Sequence, residues 1–439
     1  MLLSTALMPA FAQNGINSPF SQYGIGLNNM PYNFPGFSSM GGITVTRSAH
    51  NMVNPFNPAS YAAIGKETLV FDMGLNIETS TLRSGDSSQY DSDGNLGYLT
   101  VAFPLAKWWK TALGIMPLTD VNYETVQTET SSSSGEVSTL YQGQGGVTQL
   151  FWGNGFNILG GDDATKQQLR IGFNVNLLYG NIERGVTYEF LGGDTTYFMN
   201  SRREKHSYIK NLALDFGMQY ERPLGEHYRM TAGMTIKPHK KMLFNENALV
   251  YTFVSRSSQS YARDTIFPQD GTSGDYESTM EQPFTLGLGL SLQRNSRWLV
   301  AADASFATWS GMKYSENSNF AIFGQSPLRF DNNQRYALGF QLLGDKNDSR
   351  YIRRITFSAG AHYESGKLSL QTTDGTDYSL NEWGAGIGAS FPMRKGRSVL
   401  NLSVSYSSFG DGSLLRRDAL MFGISIGSCE SWFVKRKFN

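Results

Sequence analysis

Side chains that commonly carry catalysis or bind metals are few in this sequence and lie far apart. The five histidines are widely separated: His50, His206, His227, His239 and His362. No two of them have the spacing of a metal-binding pair such as HxxxH. The single cysteine, Cys429, excludes a disulfide framework and a cysteine-based zinc site within one chain. The sequence therefore predicts no enzyme, no metal and no cofactor.

The composition narrows the class of protein. Of 439 residues, 47 are Gly, 13% are aromatic and only 17% are charged, whereas about 25% are charged in a typical soluble domain. These values argue against an all-α protein and against disorder. Lys plus Arg and Asp plus Glu both number 37, so no excess of positive charge supports nucleic-acid binding.

The first twelve residues have the features of an export signal. Leu2 to Ala12 reads LLSTALMPAFA, an apolar run that ends in the small-x-small pattern of a signal-peptidase site. We predict a signal peptide over residues 1–12, although the usual basic start is absent, with cleavage after Ala12. A short buried segment is the alternative. No later stretch approaches the roughly 18 apolar residues of a transmembrane helix.

From about Thr68 onward, apolar residues alternate with polar or small ones. In 284–292, Phe and Leu alternate with Thr, Gly and Ser, and such alternation gives a strand one apolar and one polar face. A soluble sandwich buries its apolar face, whereas an outer-membrane barrel turns that face to lipid. The barrel is favoured by segments of about 9–12 residues, by a polar face rich in Gly, Ser and Asn, and by aromatic residues near strand ends.

We predict an all-β transmembrane barrel of about fourteen antiparallel strands, since an even number is usual. The predicted strands start near residues 67, 95, 110, 136, 167, 207, 228, 283, 297, 333, 353, 377, 398 and 418. Longer polar stretches are predicted as extracellular loops: 80–94, 129–144, 255–282 and 313–332. Residues 13–66 lack alternation and are rich in Gly, Pro and Asn, which indicates turns and short helices.

Three segments resemble the FadL family of long-chain fatty acid and hydrocarbon transporters of the Gram-negative outer membrane. Asn57-Pro58-Ala59 is similar to the NPA motif of the family. AADASFATWSGM, residues 301–312, and FDNNQRYALGF, residues 330–340, resemble two of its strands, in family order. The resemblance covers roughly residues 50–430 and is that of a divergent branch.

The resemblance implies a domain organisation. Family members are fourteen-stranded barrels with an N-terminal hatch in the lumen. We therefore expect a hatch over residues 13–66 and a barrel over residues 67–439. The implied location is the outer membrane of a Gram-negative cell, which the protein reaches by export.

Asp303 is the charged residue whose position is most informative. On its strand it falls on the face opposite Val300 and Phe306, and therefore points into the lumen. There its carboxylate can pair with donors of the hatch, and Arg335 and Arg47 are candidate partners. A structural tie between hatch and wall is one interpretation of Asp303; a contact with substrate or a gate is the other.

Apolar residues of the hatch are candidates for a ligand pocket, driven by burial at about 25 cal/mol per Å². The candidates are Phe20, Tyr23, Met30, Phe34, Phe37 and Met40. The alternative is that they only pack the hatch.

Two functions remain open from the sequence. The first is passive transport of a hydrophobic, fatty acid-like small molecule across the outer membrane, with membrane lipid and the ligand as partners. The second is a non-transporting accessory barrel of a secretion or surface-anchoring apparatus, which acts through a protein partner at the cell surface or in the periplasm.

Overall fold

The structure is a computed structural model that describes most of the chain. The described residues are 16–22, 24–27, 30–131, 135–161, 165–191, 199–256, 259–266, 274–311, 314–315, 328–345, 348–366, 368–371, 377–393, 397–412 and 414–431. The predicted signal peptide, residues 1–12, and Tyr23 lie outside these ranges.

Strands dominate the described residues. They are β1 Thr68–Ser84, β2 Ser87–Pro104, β3 Trp109–Ser131, β4 Gly135–Leu159, β5 Gln168–Leu191, β6 Asn200–Leu224, β7 Tyr228–Lys237, β8 Lys240–Arg256, β9 Gln259–Ile266, β10 Asp275–Gln282, β11 Thr285–Arg294, β12 Trp298–Ala307, β13 Tyr314–Ser315, β14 Leu328–Phe330, β15 Asn333–Leu342, β16 Thr356–Glu364, β17 Leu368–Gln371, β18 Asp377–Ser379, β19 Glu382–Met393, β20 Ser398–Asp411 and β21 Leu415–Ser431. Helical segments are short: α1 Pro35–Ser38 and the 3₁₀ turns Pro19–Gln22, Pro58–Ala63, Trp309–Gly311 and Tyr351–Arg354. Among the described residues, no helix has the length and apolar character needed to cross a membrane.

The main sheet closes on itself. Antiparallel pairing passes from each barrel strand to the next and returns from β21 to β1, where Thr68 faces Ser431 and Arg83 faces Arg416. Two barrel strands are composite, because β7 continues as β8 and β10 continues as β11. The result is a closed antiparallel barrel of fourteen strands, which confirms the predicted fold.

The alternation in sequence corresponds to two faces of the wall. On β1, Phe71, Leu75 and Ile77 point outward with 40%, 46% and 57% of their surface exposed, whereas Asn76 and Glu78 point inward and are buried. Exposed apolar side chains recur on the neighbouring strands and form a belt around the barrel. An outward apolar belt is the surface that a transmembrane barrel presents to lipid.

The strands are longer than a bilayer requires. β3, β4, β5 and β6 have 23, 25, 24 and 25 residues, whereas about 9–11 tilted residues cross the hydrocarbon core. The extra length projects from the end opposite the start of β1. At the other end, three-residue turns such as Gly225–His227 connect the strands, and short turns identify the periplasmic side of such barrels.

This projection corrects the predicted loops. Stretches 80–94 and 129–144 are paired strand hairpins, and the described parts of 255–282 also contain strands. Beyond the membrane both faces of a strand meet water, so polarity there does not indicate a loop. The predicted strand start near 283 agrees with β11, which begins at Thr285, but residues from Asp275 onward form β10 of the same composite strand and not a loop.

The wall is interrupted beside Pro238 and Pro283, which have no N–H to donate to a ladder. Pairing of β7 with β11 ends at Lys237 and Thr285, on one side of the two prolines. Pairing of β8 with β10 resumes at Lys240 and Gln282, on the other side. On the other side of the composite strand, residues 210–215 of β6 have no backbone partner there within the described chain. A side chain spans this gap: Asn211 Nδ2 donates to Leu243 O at 2.8 Å, and Leu243 N donates to Asn211 Oδ1 at 3.1 Å.

The assignment of the lipid face predicts the effect of Leu290→Arg. Leu290 is 54% exposed on the outer face, and a cation near the bilayer midplane costs about 2–4 kcal/mol. We expect impaired insertion, measured as loss of heat-modifiable gel mobility after folding into lipid. Leu290→Met is the matched control and should insert normally. Equal insertion of both variants would contradict the assignment.

Candidate functional site

The N-terminal segment lies inside the barrel and follows its length. Near the outer end, Ser18 N donates to Asn122 O at 2.8 Å and Asn17 N donates to Asp91 Oδ2 at 2.6 Å. Leu27 then pairs with Asp120 of β3. The segment continues past α1 to the 3₁₀ turn Pro58–Ala63 near the periplasmic end, directly before β1. We use the name hatch for residues 16–66 as described.

The NPA segment forms a capped turn against the wall. Asn57 caps the 3₁₀ turn by accepting from Ala59 N at 3.1 Å, and its Nδ2 donates to Val45 O of the hatch at 2.6 Å. Pro58 occupies the first position of the turn, where its fixed φ is favourable and its missing N–H has no cost. Asn57, Pro58 and Ala59 therefore hold two parts of the hatch together.

Glycines of the wall allow the hatch backbone to approach closely. A Cβ at Gly217 would overlap Asn57 and Pro58, and a Cβ at Gly360 would overlap the backbone of Met40 and Gly41. The hatch backbone therefore fills the space beside these inward-facing glycines, and they do not line an open pore.

Asp303 binds the hatch through backbone amides. Its Oδ2 accepts from Thr44 N at 2.7 Å and from Val45 N at 2.9 Å, and the residue is buried on β12. Arg47 and Arg335 make no direct hydrogen bond to Asp303 in the described structure, but both are near enough for their charges to act on its carboxylate. The two N–H donors satisfy Oδ2, whereas Oδ1 is buried without a hydrogen-bond partner in the described structure.

The two arginines make separate contacts between hatch and wall. Arg335 of β15 donates to Gly41 O at 2.9 Å, to Gly42 O at 3.0 Å and, through Nε, to the Tyr32 hydroxyl at 3.0 Å. Arg47 of the hatch donates to Gln341 Oε1 at 2.9 Å. The structure thus brings all three predicted residues to the hatch–wall boundary, where both arginines interact electrostatically with Asp303 while their hydrogen bonds go to other groups.

The six candidate pocket residues divide into two groups. Phe34 and Phe37 pack with wall residues such as Tyr98, whose ring stacks on Phe34 at 3.7 Å, and Met40 packs with Ala301 and Ala337. These three are fully buried in hatch–wall packing and do not line the cavity described next. Phe20 and Met30 do line it, and Tyr23 lies outside the described residues.

A cavity of about 290 Å³ remains between the hatch and the wall. One side is apolar and combines hatch residues with wall residues: Ile25, Leu27, Leu118, Leu178, Met242, Met280 and Trp309. Lys237, Met242 and Pro283 place this side next to the interrupted part of the wall. Sequence reasoning missed Met242 and Met280, because they follow or precede the proline breaks and belong to no clean alternating run.

A second side of the cavity is polar. His362 and Glu364 of β16 and Glu382 of β19 line it together with Tyr32 and Arg335. The Tyr32 and His362 rings stack with centroids 4.5 Å apart. Among the described residues, no group of histidines, cysteines and carboxylates could hold a metal ion.

Comparison with known proteins identifies the fold. A family model described as BamG matches residues 1–439. Among solved structures, the Pseudomonas putida toluene transporter TodX is 15% identical with a TM-score of 0.53, over 90% of this chain and 96% of that one. The Ralstonia pickettii toluene transporter TbuX is 13% identical with a TM-score of 0.51, over 90% and 97%.

A Pseudomonas aeruginosa FadL homologue is 13% identical with a TM-score of 0.52, over 96% of this chain and 99% of that one. At such identities these likenesses describe the fold, and they confirm the resemblance to FadL-like barrels at that level. Among curated proteins, no sequence matches the chain.

The contacts of the hatch predict how the lumen conducts ions. Deletion of residues 13–66 should leave a closed barrel, because every barrel strand lies after residue 67, and should open a pore. Asp303→Ala loses both hatch amide contacts and should conduct at an intermediate level. Planar-bilayer conductance measures this, with Asp86→Ala in an exposed turn as control. Equal low conductance in all variants would mean that something else closes the lumen.

The close approach at Gly360 predicts the effect of one added methyl group. Gly360→Ala would push Met40 away, and such overpacking costs about 1–3 kcal/mol. We expect trypsin to cleave after Arg47 faster than in the parent protein, as detected by mass spectrometry. Gly427→Ala is the control, because a Cβ added there would lie 3.8 Å from its nearest neighbour, the carboxyl group of Asp72. Equal cleavage rates in both variants would refute close packing at Gly360.

Proposed function

We propose that this chain, which belongs to the BamG family, admits hydrophobic small molecules passively across the outer membrane of a Gram-negative cell. The barrel supplies a protein-lined route through a membrane whose outer leaflet resists apolar compounds. The hatch supplies one wall of the binding cavity. No chemical step is required of the chain.

The cavity between hatch and wall carries this proposal. Its volume of about 290 Å³ lies at the lower end of the roughly 300–1,000 Å³ of small-molecule sites. Met242 and Met280 line it from the wall, and methionine side chains adapt to irregular apolar ligands. A compact hydrophobic molecule fits this volume better than a large one. The solved toluene transporters with the same fold support the same class of ligand.

The interrupted wall suggests where such a ligand leaves. The cavity borders Pro283, Lys237 and Met242, which flank the region where β6 and the composite strand lack backbone pairing. Separation of the strands there breaks the two hydrogen bonds of Asn211 with Leu243 but no regular backbone ladder among the described residues. A sideways exit at this point avoids displacement of the hatch.

The projecting strands favour a second candidate, an accessory barrel that acts through protein contacts. The outer faces of β5 and β6 become polar beyond the belt, where His206 Nδ1 lies 2.8 Å from Glu183 Oε1. Paired strands hold this surface more rigidly than loops would. A protein partner at the cell surface would bind there, and one in the periplasm would bind the opposite end.

Filling the cavity tests the transport proposal. Met242→Trp adds an indole to a residue that is 2% exposed and lines the cavity. We expect saturable binding of radiolabelled toluene to the purified parent protein and about tenfold weaker binding to the variant, equivalent to about 1.4 kcal/mol. Leu338→Trp on the lipid face is the control and should bind as the parent does.

The two candidate functions give different results in this experiment. Absence of saturable binding by the parent, for toluene and for a series of alkyl ligands, would contradict transport. A large partner recovered at one-to-one stoichiometry in mild detergent, together with that absence, would support the accessory barrel.

A further inference from the structure

We infer that His362, Glu364 and Glu382 form a head-group site within the cavity. It would take an amphiphile whose polar end donates hydrogen bonds, such as an alkylamine or an alkanol, and not a fatty carboxylate. This inference rests on the proposed function, because it specifies which hydrophobic molecules the cavity holds.

Strand register places the three side chains together. Glu364 of β16 faces Glu382 of β19, and His362 faces Gly384, two residues along the same side of both strands. Directly opposed residues have Cβ atoms about 4.5–5.5 Å apart. Gly384 has no side chain, so the imidazole occupies the space above it. All three side chains line the cavity.

His362 is a buried polar group without a hydrogen bond. The residue is 8% exposed, and neither ring nitrogen has a hydrogen-bond partner in the described structure. Its Nε2 lies 3.5 Å from Glu382 Oε1, which is beyond ordinary hydrogen-bond length. The stacked Tyr32 ring fixes the imidazole plane. A ligand donor between His362 and Glu382 would satisfy both groups.

Charge distinguishes between head groups. Arg335, a cation on this side of the cavity, donates its hydrogen bonds to the Tyr32 hydroxyl and to the carbonyl groups of Gly41 and Gly42. Glu364 accepts from Asn333 Nδ2 at 3.0 Å. A ligand carboxylate would therefore meet two carboxylates of the same sign. An ammonium or hydroxyl group would find acceptors, and charge-assisted hydrogen bonds are the stronger kind.

An apolar surface adjoins this polar site. Phe20 of the hatch packs with Leu380, which precedes Glu382 by two residues, and meets the Phe409 ring edge-on at 4.8 Å. All three residues line the cavity. The alkyl part of an amphiphile would lie against them while its head reaches Glu382. In this arrangement Phe20, a predicted pocket residue, contacts the alkyl part of the ligand.

Lys237 defines the competing possibility. It lines the same cavity from β7, and a fatty carboxylate would bind there instead. The two sites predict opposite preferences among ligands of equal length. They also predict sensitivity to different substitutions.

The experiment compares octylamine, 1-octanol, octanoate and toluene on the full-length purified protein at neutral pH. Calorimetric titration in a nonionic detergent measures affinity, and the same titration into protein-free micelles provides the blank for partition. We expect octylamine and 1-octanol to bind at least about tenfold tighter than octanoate. Glu382→Gln should weaken octylamine about tenfold and 1-octanol much less, because only the ammonium loses a charged partner.

The alternatives are separable. Octanoate binding as tightly as octylamine, with loss on Lys237→Met, would overturn the head-group site and leave transport intact. Binding of toluene but of none of the three amphiphiles would also overturn the head-group site and leave transport intact. Failure of all four ligands would overturn the proposed function itself. If Glu382→Gln fails to fold by heat-modifiable mobility, Glu364→Gln replaces it, with the same expected loss of preference for octylamine.

Discussion

A ring of fourteen strands encloses more space than its own side chains can fill, since about eight strands is the limit for that. Such a lumen either stays open as an aqueous channel or is filled by another part of the chain. Here the N-terminal segment does this, and the wall accommodates it with glycines such as Gly217 and Gly360, where the two backbones touch. Asp303 and Arg335 then fix the register between hatch and wall, and Asn57 Nδ2 adds a contact to Met218 O of the wall. The small cavity that remains is what this packing leaves unfilled.

Much of this architecture could be predicted from the sequence, because a two-residue period reports directly on the two faces of a strand. On β1, the lipid-facing side is marked by Phe71, Leu75 and Ile77, and the lumen-facing side by Asn76 and Glu78. Loops are harder to predict from the sequence. Hairpin strands that project beyond the membrane, as in 80–94, have no apolar face, so their sequence does not distinguish them from loops. The start predicted near Pro283 agrees with β11, but β10 on the other side of this proline is mostly polar, so its sequence indicates a loop.

The candidate site could be predicted only in part. Asp303 was found because one strand sufficed to orient it. His362, Glu364 and Glu382 required the pairing of β16 with β19, and neither strand alone specifies its register with a partner that begins after seventeen intervening residues. Phe34, Phe37 and Met40 look like pocket residues in a list of apolar side chains; only the wall partners, such as Tyr98 and Ala337, identify them as packing.

The course of the hatch also bears on how the chain reaches its native topology. Residues 16–18 are held near the outer rim, and the segment returns through the lumen to β1. β1 closes the cylinder only when it pairs with β21, the last strand made. The first residues to emerge must therefore wait beside an unsealed sheet, or be drawn through a finished one. In the simpler order of events, the sheet wraps around a hatch that is already in position, and pairing of β21 with β1 closes the barrel last. Because these two strands are far apart in the chain, their pairing is expected to be slow.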